Sequence, residues 1–264
     1  MDYKFKEAEK FRKENIPKRL YKFYFLNEDA EENNKRFETL QKNCLWMSPA
    51  NKMNDPYEYK CMYLDEKTLK QYGYPQEFID AYNRIFESMI KKVYLTSFTE
   101  NNESFLPMWA YYSNNYRGYC VEYEVLDPEY IYKVSYEPQR IPIAKIATDI
   151  YCGISDFING NANEDKLKFN NMLLMQQFFL KHKSWEHEKE YRIVAPLDNP
   201  PLNGCQANVN ILGLKVRRIY AGINSSDTSI ERLNNISNSL GCGVVVRLKV
   251  SDQEYAFEEN HASV

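Results

Sequence analysis

Histidine is scarce, with three residues in 264. His182 and His187 flank Trp185 but have no third His or Cys at ligand spacing, so a metal site there is not expected. The six cysteines, at 44, 61, 120, 152, 205 and 242, include no Cys-x-x-Cys pair, which removes zinc-finger spacing. A disulfide framework is not expected in a chain large enough to build its own core, and free thiols in a reducing cytoplasm fit instead. Cys120, in an apolar run, reads as inert core. No run of 18 apolar residues occurs, and Met1 to Ala8 lack the apolar stretch of a secretion signal. Neither a membrane partner nor export is expected. A large excess of positive charge is also lacking. The net charge of −3 argues against a dedicated, sequence-independent nucleic-acid surface.

What the chain has in quantity is aromatics: 22 Tyr and 14 Phe lift them to 15%. Tyrosine fills a core while keeping a polar tip, which predicts a Tyr-rich interior; a stacking surface for a base or a nicotinamide is the alternative. Hydrophobic residues at 44% and charged residues at 27% are ordinary for a globular chain.

Pattern and turn chemistry predict strands at Leu20–Phe25, Cys44–Ser48, Lys92–Phe98, Arg117–Val125, Tyr130–Tyr136, Val216–Tyr220 and Gly243–Val250. Helices are expected from Asn27–Asp29 to Gln41, and over 66–91 in two pieces split around Gly73-Tyr74-Pro75. Others are expected over Leu106–Tyr116, about 141–151, Lys166–His182 and Ser226–Leu240. Asn54-Asp55-Pro56 is turn chemistry. No repeat, long linker or strict βαβ rhythm is present. The expectation is a single α+β domain over 20–250, with a mixed, mostly antiparallel sheet flanked by helices. A charged segment (1–19) precedes it and an acidic tail (251–264) follows.

The chemistry concentrates in Ser184-Trp185-Glu186-His187-Glu188-Lys189-Glu190-Tyr191-Arg192-Ile193-Val194. On a strand, alternation would put Glu188, Glu190 and Arg192 on one face, with Tyr191 and Ile193 turned to a core. Carboxylates about 7 Å apart along a strand repel unless a cation or ligand sits between them, and Arg192 is the nearest cation in sequence. A structural ion-pair network and a catalytic site both satisfy this pattern.

Several short motifs occur in a telling order. Leu20-Tyr21-Lys22-Phe23 comes first, then Ser48-Pro49, Asn54-Asp55-Pro56-Tyr57-Glu58 and Ser97-Phe98. Met108-Trp109-Ala110-Tyr111-Tyr112, Gly118-Tyr119-Cys120-Val121-Glu122 and Lys183-Ser184-Trp185 with Glu188-x-Glu190-x-Arg192 complete the series. Over about residues 20–223 this order resembles the bacterial family known as domain of unknown function 2971. That family usually has His-Tyr after Trp-Ala where this chain has Tyr111-Tyr112. A tyrosine, with a reference pKa near 10, suits a proton donor better than a base at neutral pH.

The layout is also similar, more faintly, to ADP-ribosyltransferases, which place a basic or His residue on an early strand, Ser or Tyr on a second and Glu on a later one. The resemblance implies an ADP-ribosyltransferase-like core, NAD as cofactor and a setting in stress, toxin action or phage defence. Lys22, Ser48 and Glu190 or Glu188 would take the three places, with the carboxylate facing developing oxocarbenium charge. Tyr21, Trp109 or Tyr112 would stack on nicotinamide, and Lys22 or Arg192 would hold phosphate. Asn54, Asp55, Ser97, Tyr111 and Trp185 join the candidate substrate-binding residues, beside the catalytic candidates Glu188, Glu190 and Arg192.

Two other functions stay open. One is a non-catalytic module whose aromatic cleft binds a nucleotide or a protein. The other is a metal-dependent nuclease using Asp55 and Glu58 with Glu188 or Glu190 as oxygen ligands; no Glu-x-Lys nuclease strand supports it, and no metal is expected.

Overall fold

The computed structural model describes residues 4–53, 55–161, 164–198 and 201–259. The chain opens with helix α1 (Phe5–Glu14), strand β1 (Arg19–Tyr24), helix α2 (Ala30–Gln41) and strand β2 (Cys44–Pro49). Strand β3 (Met62–Tyr63), helices α3 (Glu66–Gln71) and α4 (Gln76–Lys92) and strand β4 (Val93–Thr99) follow. Next come α5 (Leu106–Tyr112), β5 (Tyr119–Val125), β6 (Ile131–Lys133), β7 (Ser135–Glu137) and β8 (Ile141–Pro142). Helices α6 (Ala144–Ile158) and α7 (Glu164–Gln176) lead to β9 (Leu180–His182) and β10 (Glu190–Pro196). The chain then forms β11 (Cys205–Asn208), β12 (Leu214–Ala221), α8 (Asp227–Ser239), β13 (Val246–Val250) and β14 (Phe257–Glu259).

A ten-stranded sheet in the order β11-β2-β4-β1-β5-β12-β13-β14, with β10 on β4 and β6 on β10, makes this a single-domain α+β fold. Its pairs are antiparallel except β12–β13; two small parallel pairs, β3–β8 and β7–β9, lie outside it. The expected Tyr-rich interior is present. Tyr119, Tyr123 and Tyr191 are buried among Leu20, Ile193 and Ile219. Tyr24 stacks on Tyr119 at 4.6 Å, and its hydroxyl bonds that of Tyr123 at 2.8 Å. Among the described residues no helix is long and apolar enough to cross a membrane.

Strand β4 creates the feature that matters most. One edge is bonded along its whole length to β10, from Val93↔Pro196 to Thr99↔Glu190. The other edge is shared: β2 meets it at Tyr94 and Leu95, and β1 meets it only at Tyr21↔Thr99. Between those contacts the sheet opens. Lys22 Nζ, at 2.9 Å from the Ser97 carbonyl, satisfies an acceptor that a neighbouring strand would otherwise have taken.

Several expected elements differ. The strand expected over Tyr130–Tyr136 is two, β6 on β10 and β7 on β9, and the helix expected over about 141–151 is α6 at Ala144–Ile158, preceded by β8. The helix expected over Lys166–His182 stops at Gln176, passes through a 3₁₀ turn at Gln177–Phe179 and ends as β9. The helix expected to Tyr116 stops at Tyr112, because Asn114, Asn115 and Tyr116 take left-handed conformations (φ 54, 51 and 68°). That turn delivers Gly118 against Tyr24, where an added Cβ would lie 1.9 Å from the carbonyl oxygen. Part of the expected acidic tail, Phe257–Glu259, is the sheet's edge strand, paired with β13.

Candidate functional site

The opening between β1 and β4 is the mouth of a cavity of about 120 Å³. Tyr21, Lys22 and Phe23 of β1 form one wall, and Ser97, Phe98 and Thr99 of β4 another. Met53 and α5 (Met108, Tyr112) contribute apolar and phenolic surface, and Lys181, Glu188 and Glu190 bring charge. The register explains the meeting. Tyr21, Thr99 and Glu190 are partners in one row across three strands, and Ser97 faces Arg192 two residues on.

Glu188 and Glu190 reach the cavity by different routes. Glu190 opens β10, whereas Glu188 ends a 3₁₀ turn over Lys183–Glu188. The expected single strand face therefore holds for Glu190 and Arg192 but not for Glu188. Lys189, left-handed at φ 45°, makes the corner between them. Both carboxylates then meet the buried ammonium of Lys181 on β9, at 2.5 Å (Glu188 Oε2) and 3.2 Å (Glu190 Oε2). Tyr112 donates its hydroxyl to Glu188 Oε1. Glu190 is clamped further by Arg192, Nε to Oε1 at 2.7 Å and Nη2 to Oε2 at 2.9 Å.

Arg192 is wholly buried behind Glu190 and does not reach the cavity wall. Its Nη1 donates to Glu58 Oε1 (2.6 Å) and to the Phe178 carbonyl (2.7 Å). With four of its five N–H donors engaged inside the protein, it positions Glu190 rather than holding phosphate. The turn that begins at Asp55 serves the same network: Asp55 Oδ1 accepts from Tyr57 N at 2.9 Å, and the turn carries Glu58 to Arg192.

Proton affinities follow from this crowding. Burial would raise Glu190, but the Arg192 and Lys181 charges overcome it and hold its pKa at about 2. Burial pushes the Glu58 carboxyl up against the pull of Arg192. For Lys181 burial works downward, yet Glu190 and Glu188 keep it above the usual lysine range. Lys22 is the contrast. Its side chain keeps a solvent-accessible face, but its amine is packed by protein atoms, and burial draws its pKa down to about 8 against the opposing effect of Glu190. Among the described residues it has no carboxylate within ion-pairing distance.

The structure thus brings Tyr21, Lys22, Ser97, Tyr112, Glu188 and Glu190 together on one cavity. It places the other candidates elsewhere. Ser48 pairs with Leu95 in the sheet. Asp55 is a turn residue. Trp109 is fully buried, with its indole N–H donated to the Glu103 carbonyl. Tyr111 is exposed beside His187. Trp185 covers the Lys181 ammonium at 5.0 Å and stacks on His187. Asn54 lies outside the described residues.

Sequence reasoning missed Lys181, the cation shared by both carboxylates, because Lys181-His182-Lys183 reads as the basic end of a helix. The signal for it was charge balance: two adjacent carboxylates needed a cation between them. Among the described residues, no three His, Cys, Asp or Glu side chains are grouped to hold a metal ion.

The family model described as protein of unknown function (DUF2971) matches residues 108–193. The match covers less than half of the chain. It runs from α5 into β10, taking in Tyr112, Lys181, Glu188, Glu190 and Arg192, and leaves out β1 with Lys22. No curated protein and no solved structure matches the chain.

Proposed function

We propose that this chain cleaves the glycosidic bond of a nicotinamide dinucleotide, with an ADP-ribosyltransferase-like division of labour among its residues. The observation that carries the reading is the carboxylate pair on the wall of an aromatic-lined opening in the sheet. Glu188 is held there between Lys181 and Tyr112, and Glu190 is locked behind it by Arg192.

When the ribosyl–nitrogen bond breaks, its electron pair goes to the ring nitrogen and neutral nicotinamide leaves. Positive charge then spreads over the ribose carbon and ring oxygen. Fixed negative charge beside that carbon stabilises the transition state more than the ground state. Glu188 would take this role, with Glu190 and Lys181 setting its position. Water or an acceptor nucleophile then adds to the carbon and gives up a proton. Tyr21, Phe23 and Phe98 supply walls for a flat ring. At about 120 Å³ the cavity is small beside the roughly 300–1,000 Å³ of most ligand sites, so it would take the reacting end of the dinucleotide only. Lys22, without a carboxylate of its own, would face the anionic part. Such an activity, turned on a cell's own NAD, would suit a cytoplasmic protein of stress response or phage defence.

The test is nicotinamide release from NAD, followed by chromatography, with water and with a panel of protein and small-molecule acceptors. Wild type is expected to release nicotinamide and Glu188→Gln to lose on the order of 10²-fold or more of that rate. No release by wild type with any acceptor overturns the reading.

The internal pairing of both cavity carboxylates supports a second reading, a binding module with a preformed, self-neutralised site. It predicts a nucleotide that raises the melting temperature and is recovered unchanged after hours of incubation.

A further inference from the structure

Lys22 differs from the other cations of the cavity. Lys181 bridges Glu188 and Glu190, and Arg192 is clamped between Glu190 and Glu58. Among the described residues the only hydrogen bond from Lys22 Nζ goes to the neutral Ser97 carbonyl, at 2.9 Å. The nearby rings of Tyr24 and Phe98 have their centroids 5.7 Å away. An ammonium can donate three hydrogen bonds, whereas a neutral amine has two N–H groups and a lone pair. The single Ser97 bond is compatible with either state, and in the neutral state the lone pair is free. A lysine drawn out of water beside apolar surface, with no counter-ion, is the environment that turns this side chain into a nucleophile.

We propose that Lys22 Nζ is a nucleophilic amine that captures a small uncharged aldehyde as an imine at the opening between β1 and β4. The amine lone pair attacks the carbonyl carbon and the C=O π pair moves onto oxygen, giving a carbinolamine. That oxygen then leaves as water, taking up both amine hydrogens, so that amine and aldehyde become imine and water. The chemistry of the walls selects the substrate. Tyr21, Phe23, Phe98 and Met108 suit one ring or a short alkyl chain, and the cavity volume limits it to that size. No cation is left over for an acidic substrate, since Lys181 and Arg192 are already paired and imine formation would use Lys22 itself. The depressed proton affinity of Lys22 agrees with this role, leaving an appreciable neutral fraction near pH 7.

The experiment uses the full chain without nucleotide, incubated at pH 7 with benzaldehyde and cyanoborohydride. The hydride source reduces any imine to a stable benzylamine. Digestion and mass spectrometry then give the labelling rate at each lysine. Lys22 is expected to be labelled roughly tenfold or more faster than surface lysines, because a pKa of about 8 in place of 10.5 leaves roughly 300-fold more free amine at pH 7. Lower intrinsic nucleophilicity offsets part of that gain. Glyoxylate, whose carboxylate has no partner in the cavity, is expected to label Lys22 more slowly than benzaldehyde does. Lys22→Arg should remove the label from that peptide and leave the others unchanged. If this variant does not fold, the rates within wild type decide alone. Labelling of Lys22 at the surface rate overturns the reactive amine, and a preference for glyoxylate overturns the uncharged substrate. Neither result depends on nicotinamide release, so the two proposals fail separately.

Discussion

Glu190 illustrates how a buried charge contributes to stability and titrates at the same time. Its carboxylate accepts from both sides of the Arg192 fork and from Lys181, so the ionised form is strongly favoured in the fold. The folded pKa of about 2 lies below the ordinary 4.5. Between those values the unfolded chain binds more protons than the folded one. The contribution of Glu190 is therefore complete above about pH 4.5 and is lost as the pH falls towards 2. A shift of that size corresponds to on the order of 3 kcal/mol. Glu58 acts in the opposite sense. Its folded pKa is raised, so protonation on acidification relieves a cost that its charged form carries in the fold. Urea unfolding across pH 5 to 2.5 should show wild type losing stability faster than Glu190→Gln, although the variant is less stable at neutral pH because it leaves Arg192 and Lys181 short of an anion. Parallel acid profiles for the two proteins would mean that Glu190 is not held by this network.

At the scale of elements, the corner at Lys189 decides whether the two carboxylates share one ammonium. A left-handed residue between a 3₁₀ turn and a strand lets Glu188 and Glu190 both reach Lys181, which two positions of a straight strand would not require. Lysine tolerates this conformation at a cost of roughly 1–2 kcal/mol, and a β-branched side chain tolerates it much less well. Lys189→Val is therefore expected to lower stability by about 1–2 kcal/mol and to move Glu188 away from Lys181, reducing nicotinamide release in parallel. Lys189→Gly should keep the corner and the activity. Unfolding curves and the release assay on both variants check this, and equal activity of the two would show that the corner does not set the site. This corner also marks the limit of what the sequence discloses. Alternation placed Tyr191 and Ile193 in the core and Glu190 beside Arg192, because strand periodicity is local. The break in α7 was not legible, since its apolar face continues through Phe178 and Phe179. The reason for the break lies far along the chain: the freed Phe178 carbonyl accepts from Arg192. The single contact of β1 with β4, which opens the cavity, is likewise a pairing between distant segments that no local pattern encodes.

Across the whole molecule, the site depends on one end of the sheet being closed by a late strand. Helix α5 brings Met108 and Tyr112 to the cavity and is itself anchored through Trp109. The Trp109 ring meets Phe23 edge-on at 5.0 Å and Phe257 of β14 at 6.4 Å, and Phe257 also meets Tyr116 at 5.7 Å. Strand β14 thus holds the far side of the helix that holds Glu188. Helix α1 is attached differently. Arg12 donates to the carbonyls of Pro128, Glu129 and Ile131, and none of its residues lines the cavity. Removal of residues from 251 onward takes away the packing of the half-buried Phe257, about 1–2 kcal/mol by itself, and uncovers part of Trp109 and Leu248. A loss near 3 kcal/mol in a chain of this size lowers the melting temperature by roughly 10 °C. Because α5 loses its support, the Tyr112–Glu188 bond should loosen and nicotinamide release should fall beyond what the stability loss explains at 20 °C. Removal of α1 should lower the melting temperature while leaving release at 20 °C close to that of the intact chain. Melting curves and release rates for both truncations, with limited proteolysis within α5 as a third readout, distinguish the two. Equal losses of release would place the support of the site in the global stability of the sheet rather than in the contact between β14 and α5.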